Sequence, residues 1–292
     1  AFNWRVAREM HKRKIPVVYY VCPQFWAWRQ GRVKLLRDYV DQALVIFPFE
    51  EKFYRDRGVN TTFVGHPLSE LPPPSISRGD YAHQQKLDPA KQWITIMPGS
   101  RMKEVRMNLP AMLESVRMLG NDYEFLLPIA PTLDRGFIFT FIGNAANIYP
   151  VPESLPALYH SRAGIIASGT ATVEAAMLGL PFVMVYRVSK LTYLLGKSTV
   201  KVPHFAMVNL IAGERIVPEL IQHDFTAANV VSKIREILPD GPPRVKMLAD
   251  IVGVKTALQG PLGNTVHPAE KAAEIILNML QKRVSGSVAV NS

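Results

Sequence analysis

The sequence predicts an α/β protein made of two parallel-sheet domains with a helical end, on three observations. Apolar runs of strand length alternate with segments of helical period, the pattern of βαβ units and parallel sheets. One proline-rich polar stretch interrupts that alternation, and beyond residue 215 the strand-like runs stop. With 292 residues, 48% hydrophobic and 20% charged, the chain has material for about two domains with large cores, and its composition argues against disorder.

The elements follow in order. The chain opens at Ala1 in a helical segment with Phe2, Val6 and Met10 on one face, ahead of a strand expected over 15–21. It starts without Met or a signal-peptide pattern, on what reads as a crossover helix, so a preceding strand is expected to be missing and the chain is read as truncated. Further strands are expected over 43–48, 61–65, 93–97, 124–129, 147–151, 163–168 and 182–188. Helical period shows in "EEKFYRDR", "LPAMLESVRML", "ESLPALYHS" and "ATVEAAMLG". The break, residues 66–92, is rich in proline and polar residues and reads as a connector with a short helix near 80–86. Helices are expected over 217–222, 226–238, 243–259 and 268–282, followed by a frayed tail. The domains are then an incomplete Rossmann-like first domain (1–66), a linker (67–92), a second Rossmann-like domain (93–242), C-terminal helices (243–283) and the tail (284–292).

Lysine and arginine number 34 against 24 acidic residues, a formal charge of +10, which favours phosphates, nucleotides, nucleic acid or an anionic membrane without choosing among them. Cys22 is the sole cysteine, so no internal disulfide is possible. It ends an apolar run and reads as a small core residue, and a cytosolic, reducing compartment is the simpler expectation. The densest apolar run, residues 16–28, is broken by Pro23 and Gln24 and falls short of the roughly 18 residues of a membrane span, so membrane contact is expected to be peripheral.

Ligands of open α/β sheets bind outside the carboxyl ends of strands. One such end is "WITIMPGSRMKEV", where Gly99 permits close backbone approach and Ser100 and Arg101 open a helix suited to phosphate oxygens. A second is "ASGTATVEAAMLGLP", which places Glu174 near the start of a helix. A capping box from Thr170 needs Glu or Gln at 173, which is Val173, and one ending at Glu174 needs Ser or Thr at 171, which is Ala171. Helix-dipole decoration therefore stands against a ligand role, in which Glu174 accepts from two ribose hydroxyls while Ser168, Gly169 and Thr170 offer backbone N–H groups to a diphosphate. A third candidate, "HFAMVNLIAGERIVPEL", presents Asn209 and Glu219 in an irregular span, with Asn209 able to donate to phosphate or to brace a turn. There is no Asp-x-Asp, no Walker loop, no GxGxxG and no histidine pair at metal-ligand spacing, so no metal and no cofactor is expected.

The blocks "YYVCPQFWAWRQGRV", "FPFEEKFY", "FVGHPL", "PGSRMKEV", "ASGTATVEAAMLGLPFVMVYR" and "MVNLIAGERIVPELIQ" occur in the order and spacing of lipid-A-disaccharide synthases, which the chain resembles from residue 1 to about 280. The resemblance implies a GT-B fold, two Rossmann-like domains facing a cleft. It also implies a metal-independent reaction in which UDP-2,3-diacylglucosamine gives its sugar to 2,3-diacylglucosamine 1-phosphate and UDP leaves. By the same likeness Ser100 and Arg101 lie near the nucleotide-sugar and Glu174 holds the ribose. Ser168, Gly169, Thr170 and Asn209 face the diphosphate, and Trp26, Trp28 and Arg29 line the acceptor side. The implied partners are the UDP-sugar lipid donor, the phosphorylated glycolipid acceptor, an anionic membrane surface on the cytoplasmic side of the inner membrane, and a second copy in a dimer with exchanged C-terminal segments. The family's candidate general base lies in a segment that would precede Ala1. No catalytic residue is assigned, and the chain as written is expected to bind UDP without turnover. The rivals are another GT-B enzyme of UDP-GlcNAc, such as a peptidoglycan-lipid transferase or a 2-epimerase, against which WAWR argues, and a basic RNA-binding module, for which no recognised motif is present.

Overall fold

The structure, a computed structural model, describes residues 2–143, 145–189, 202–260 and 266–289, with side chains of the last helix described through residue 281. These fall into two units, one of residues up to Glu70 with those from Thr256 on, the other of Leu71 to residue 189 with Pro203–Lys255.

The first unit contains α1 (Phe2–Lys12), β1 (Val18–Tyr20), α2 (Val33–Tyr39), β2 (Gln42–Val45), α3 (Pro48–Arg55) and β3 (Thr61–Phe63), its three strands parallel in the order β1-β2-β3. The central strand β2 is buried throughout. In α1 the buried residue is Ala7, while Phe2 is 76% exposed and Val6 42%, which corrects the expected apolar face. The contact is made by the residue midway between them: Trp4 stacks on Tyr19 and Phe25, with ring centroids 5.3 and 5.9 Å apart. The chain's end returns to this unit. Ala272, Ile275 and Ile276 of helix Pro268–Ala289 pack against Leu44, Val64 and Val18, and the His66 N–H donates to the Leu258 carbonyl at 2.8 Å. That helix runs to Ala289, so most of the expected frayed tail is helical, while residues 290–292 lie outside the described residues.

The second unit contains α4 (Arg78–Gln85), β4 (Gln92–Met97), α5 (Met102–Leu119), β5 (Tyr123–Pro128), α6 (Arg135–Ile142), β6 (Ile148–Val151), α7 (Ser154–His160), β7 (Ala163–Ala167), α8 (Thr170–Met177), β8 (Phe182–Tyr186) and β9 (Glu219–Ile221). Its six strands are all parallel, in the order β6-β5-β4-β7-β8-β9. Helices on both faces bury the central strands, which is why β7 and β8 read as unbroken apolar runs. Helix Ala227–Ile237 lies against α5, β7 and β8.

Two local expectations change here. The span 217–222, expected to be helical, holds β9, paired in parallel with β8 through Met184–Glu219 to Tyr186–Ile221. Three residues are too few for a period to show, and the sheet edge decides. The short helix expected near 80–86 is present as α4, capped by Ser77, whose hydroxyl accepts from the Asp80 N–H, but the stretch read as a connector packs into the second unit. Tyr81, Ala82 and Leu87 then join Trp93 in a core cluster, and Arg78 lies 3.6 Å over the Trp93 ring.

Candidate functional site

The strand order reverses between β4 and β7, so the connections leaving those neighbours diverge to opposite faces and leave a crevice at their carboxyl ends. A cleft of about 360 Å³ opens there. Its walls are the loop after β4 (Gly99, Ser100, Arg101), the apolar loop after β5 (Pro128 to Pro131), Pro152, and the β7–α8 turn (Ala167 to Ala171), with Glu104 and Glu174 facing in from their helices.

The β4 turn is held by three side chains. Gly99 has φ +119°, and a Cβ there would stand 2.6 Å from Glu104 Oε2. That oxygen accepts from the Ser100 N–H at 3.1 Å, and Oε1 accepts from Arg101 Nη1 at 2.7 Å. Thr132 Oγ1 donates to the Ser100 carbonyl at 2.8 Å. Asn108, 1% exposed, donates to the Pro98 carbonyl at 2.9 Å and accepts from the Arg187 N–H at 3.1 Å, tying the ends of β4 and β8 together. Ser100 and Arg101 line the cleft, Arg101 with 79% of its side chain exposed. Sequence reasoning missed Glu104 and Asn108. Asn108 had a legible signal: it stands on the buried stripe of α5 with Val105, Leu109 and Met112, where a polar residue needs partners.

The β7 turn differs in detail from expectation. The Ser168 N–H continues the ladder to the Val185 carbonyl at 3.0 Å, and its hydroxyl donates to the Phe205 carbonyl at 3.0 Å. Ser168 thus lines the cleft with both of its donors engaged. The helix cap is Gly169, with φ 147°. Thr172 N–H bonds back to the Gly169 carbonyl, and the N–H groups of Gly169, Thr170 and Ala171 have no hydrogen-bond partner among the described residues. A Cβ at Gly169 would meet nothing within 4 Å, so a ligand can approach the backbone closely. Glu174 is the fifth residue of α8 rather than part of its first turn, where the dipole has largely faded. Its carboxyl is half-buried, raised in pKa by that burial, and makes no hydrogen bond or ion pair among the described residues. A desolvated carboxylate without a protein donor is suited to donors brought by a ligand.

Asn209 is corrected. It is 0% exposed and outside the cleft lining, with all four amide positions used. Nδ2 donates to Val217 O at 3.0 Å and Glu219 Oε1 at 2.8 Å, while Oδ1 accepts from the N–H groups of Ile216 and Val217 at 2.9 and 3.0 Å. Glu219 also accepts from Phe205 and Ala206 N–H, so the pair braces the loop that Ser168 touches. The span expected to be irregular carries helix Met207–Ala212.

In the first unit Trp26 is corrected too. It is 6% exposed, and its indole N–H donates to buried Glu50 at 2.7 Å, so it belongs to the core rather than to an acceptor-facing surface. Trp28 is 47% exposed, with Arg29 stacked 4.4 Å over its ring. Cys22 is buried, its thiol pushed far up by desolvation, which suits a core residue. Among the described residues no group of three His, Cys, Asp or Glu could hold a metal ion.

Comparison with known proteins gives a consistent result. The family model described as lipid-A-disaccharide synthetase matches residues 1–252. The chain is 45% identical to the lipid-A-disaccharide synthase of Acidobacterium capsulatum and 46% identical to that of Koribacter versatilis, in each case over 97% of this chain and 74% of the relative. Among solved structures it resembles a glycosyltransferase from Rickettsia africae, with TM-score 0.58, 11% identity, and coverage of 94% of this chain and 79% of the other. It also resembles a UDP-GlcNAc 2-epimerase from Neisseria meningitidis bound to UDP-GlcNAc, with TM-score 0.57, 14% identity, and coverage of 96% and 73%. At that identity the structural likenesses concern the fold, which is of the GT-B type.

Proposed function

The chain belongs to the lipid-A-disaccharide synthase family, and from that premise we propose that the cleft of its second unit is the nucleotide-sugar site. The protein is a glycosyltransferase of lipid A biosynthesis. In this reading the donor is UDP-2,3-diacylglucosamine and the acceptor 2,3-diacylglucosamine 1-phosphate. The acceptor hydroxyl attacks the anomeric carbon, the bond to the diphosphate breaks, and UDP leaves with the electron pair.

The observation that carries the reading is the conjunction at the β7–α8 turn: N–H groups of Gly169, Thr170 and Ala171 beside a half-buried carboxylate, all without a hydrogen-bond partner among the described residues. The N–H groups suit diphosphate oxygens, and Glu174 accepts from the two ribose hydroxyls. Fixed dipoles of this kind stabilise charge building on the leaving diphosphate, and Arg101 lines the same cleft with 79% of its side chain exposed and its Nη1 paired with Glu104. Neither carboxylate of the cleft is assigned as the base: Glu104 is engaged by Ser100 and Arg101, and Glu174 is given to the ribose.

A peripheral position on an anionic, cytoplasm-facing membrane is part of the same proposal. The +10 formal charge and a phosphorylated lipid acceptor support it. No helix among the described residues is long and apolar enough to cross a membrane. A homodimer is proposed on the exposed apolar residues of the C-terminal helices, Val245 and Val252 on one, Leu277 and Leu280 on the other.

Calorimetric titration with UDP tests the site. The chain binds UDP, and Glu174→Ala weakens binding by about tenfold, about 1.4 kcal/mol. Equal binding by the variant would remove Glu174 from the site, and no binding by the parent would remove the nucleotide from the cleft.

A further inference from the structure

Among the described residues the charged side chains lining the cleft are Arg101, Glu104 and Glu174, two acids and one base, so the carboxylates there outnumber the cation where a diphosphate is to sit. Glu174 has a use for its charge in accepting ribose hydroxyls. Glu104 is given no such use in that reading, yet it is fixed at the cleft wall: Ser100 N–H and Arg101 Nη1 each hold one of its oxygens, and Gly99 lacks the Cβ that would displace it. Its carboxylate cancels the formal charge of Arg101 beside the proposed diphosphate position.

We propose that Glu104 is a specificity-determining residue that sets the cleft against free nucleoside diphosphate and in favour of the diphosphodiester of a nucleotide-sugar. The proposal rests on the nucleotide reading of this cleft. A diphosphodiester carries one negative charge per phosphate, whereas cleavage at the sugar leaves a terminal phosphate with close to two at neutral pH. A fixed like charge therefore weakens the product more than the donor, and weakens nucleoside triphosphate most. Arg101 and the open N–H groups hold the substrate, and the carboxylate beside them favours release once the sugar has gone.

The test is a charge ladder. The parent and Glu104→Gln are titrated calorimetrically with uridine, UMP, UDP and UTP at one ionic strength. Glutamine can still accept from the Ser100 N–H but carries no charge. Uridine binds both proteins alike, and the variant binds the others more tightly, by about twofold for each ligand charge. Glu104→Ala gives the same slope with a uniform offset, and Glu104→Asp keeps the parent slope, so the result does not depend on one variant folding well. An equal effect on all four ligands, or weakening that grows with ligand charge, overturns the proposal. Failure of the parent to bind UDP at all overturns the nucleotide reading beneath it, a separate outcome.

Discussion

Glu50 is a carboxylate that is 1% exposed, held by the Trp26 indole at 2.7 Å and by the N–H groups of Ile46 and Phe47 at 3.3 and 3.1 Å. Three donors favour its charge, but burial opposes it more strongly and raises its pKa to about 7. In the unfolded chain Glu50 ionises near pH 4.5, so between there and pH 7 the native state binds the extra proton and stability falls as pH rises. Urea unfolding of the first unit at pH 5 and pH 8 checks this: the parent loses stability across the interval, and Glu50→Gln loses less. Equal pH dependence in the two proteins would mean that Glu50 is ionised throughout. Asn209 teaches the same lesson. A side chain whose four hydrogen-bonding positions are all used inside the protein has none left for phosphate. Residue type alone could not separate Asn209 from Glu174, because both are polar residues in largely apolar segments. Partner counting separates them.

At the scale of elements, the strand-turn-helix units were legible and their caps were not. All eight expected strands are present within a few residues, because buried parallel strands write continuous apolar runs into the chain. The cap of α8 is Gly169 rather than Thr170, which moves Glu174 from the first turn to the second. The β4 turn depends on a carboxylate from the helix it precedes, Glu104, which takes the Ser100 N–H four residues back and fills the space at Gly99. Gly99→Ala is therefore expected to cost about 1–3 kcal/mol, because it combines a strained φ with a methyl set against Glu104. Gly169→Ala meets open space and carries the backbone strain alone. Urea denaturation with parallel UDP titration distinguishes them: Gly99→Ala loses both stability and binding. A Gly99→Ala protein as stable as the parent would show that Glu104 does not fill the space at that turn.

At the scale of the whole molecule, residues near the two ends of the chain share one core. Leu44 and Val64 are covered by Ala272, Ile275 and Ile276, more than two hundred residues later in sequence. Ending the chain after Lys255 removes that cover while leaving the second unit's own residues intact. Limited proteolysis should then cut the first unit readily, while the second unit keeps its melting transition and its UDP binding. Unchanged protection of the first unit would show the returning helix to be dispensable. The sequence by itself determined the α/β class, the order of the strands along the chain and the blocks that mark the family, because these are written in local periodicity and in residue types at fixed spacing. The tertiary structure decided which strands are neighbours, and with that the reversal between β4 and β7 that opens the cleft. It also decided that, among the described residues, Glu174 has no hydrogen-bond partner while Trp26, Asn209 and the Ser168 N–H do. The physical reason is that hydrogen-bond satisfaction and desolvation depend on atoms brought from distant parts of the chain.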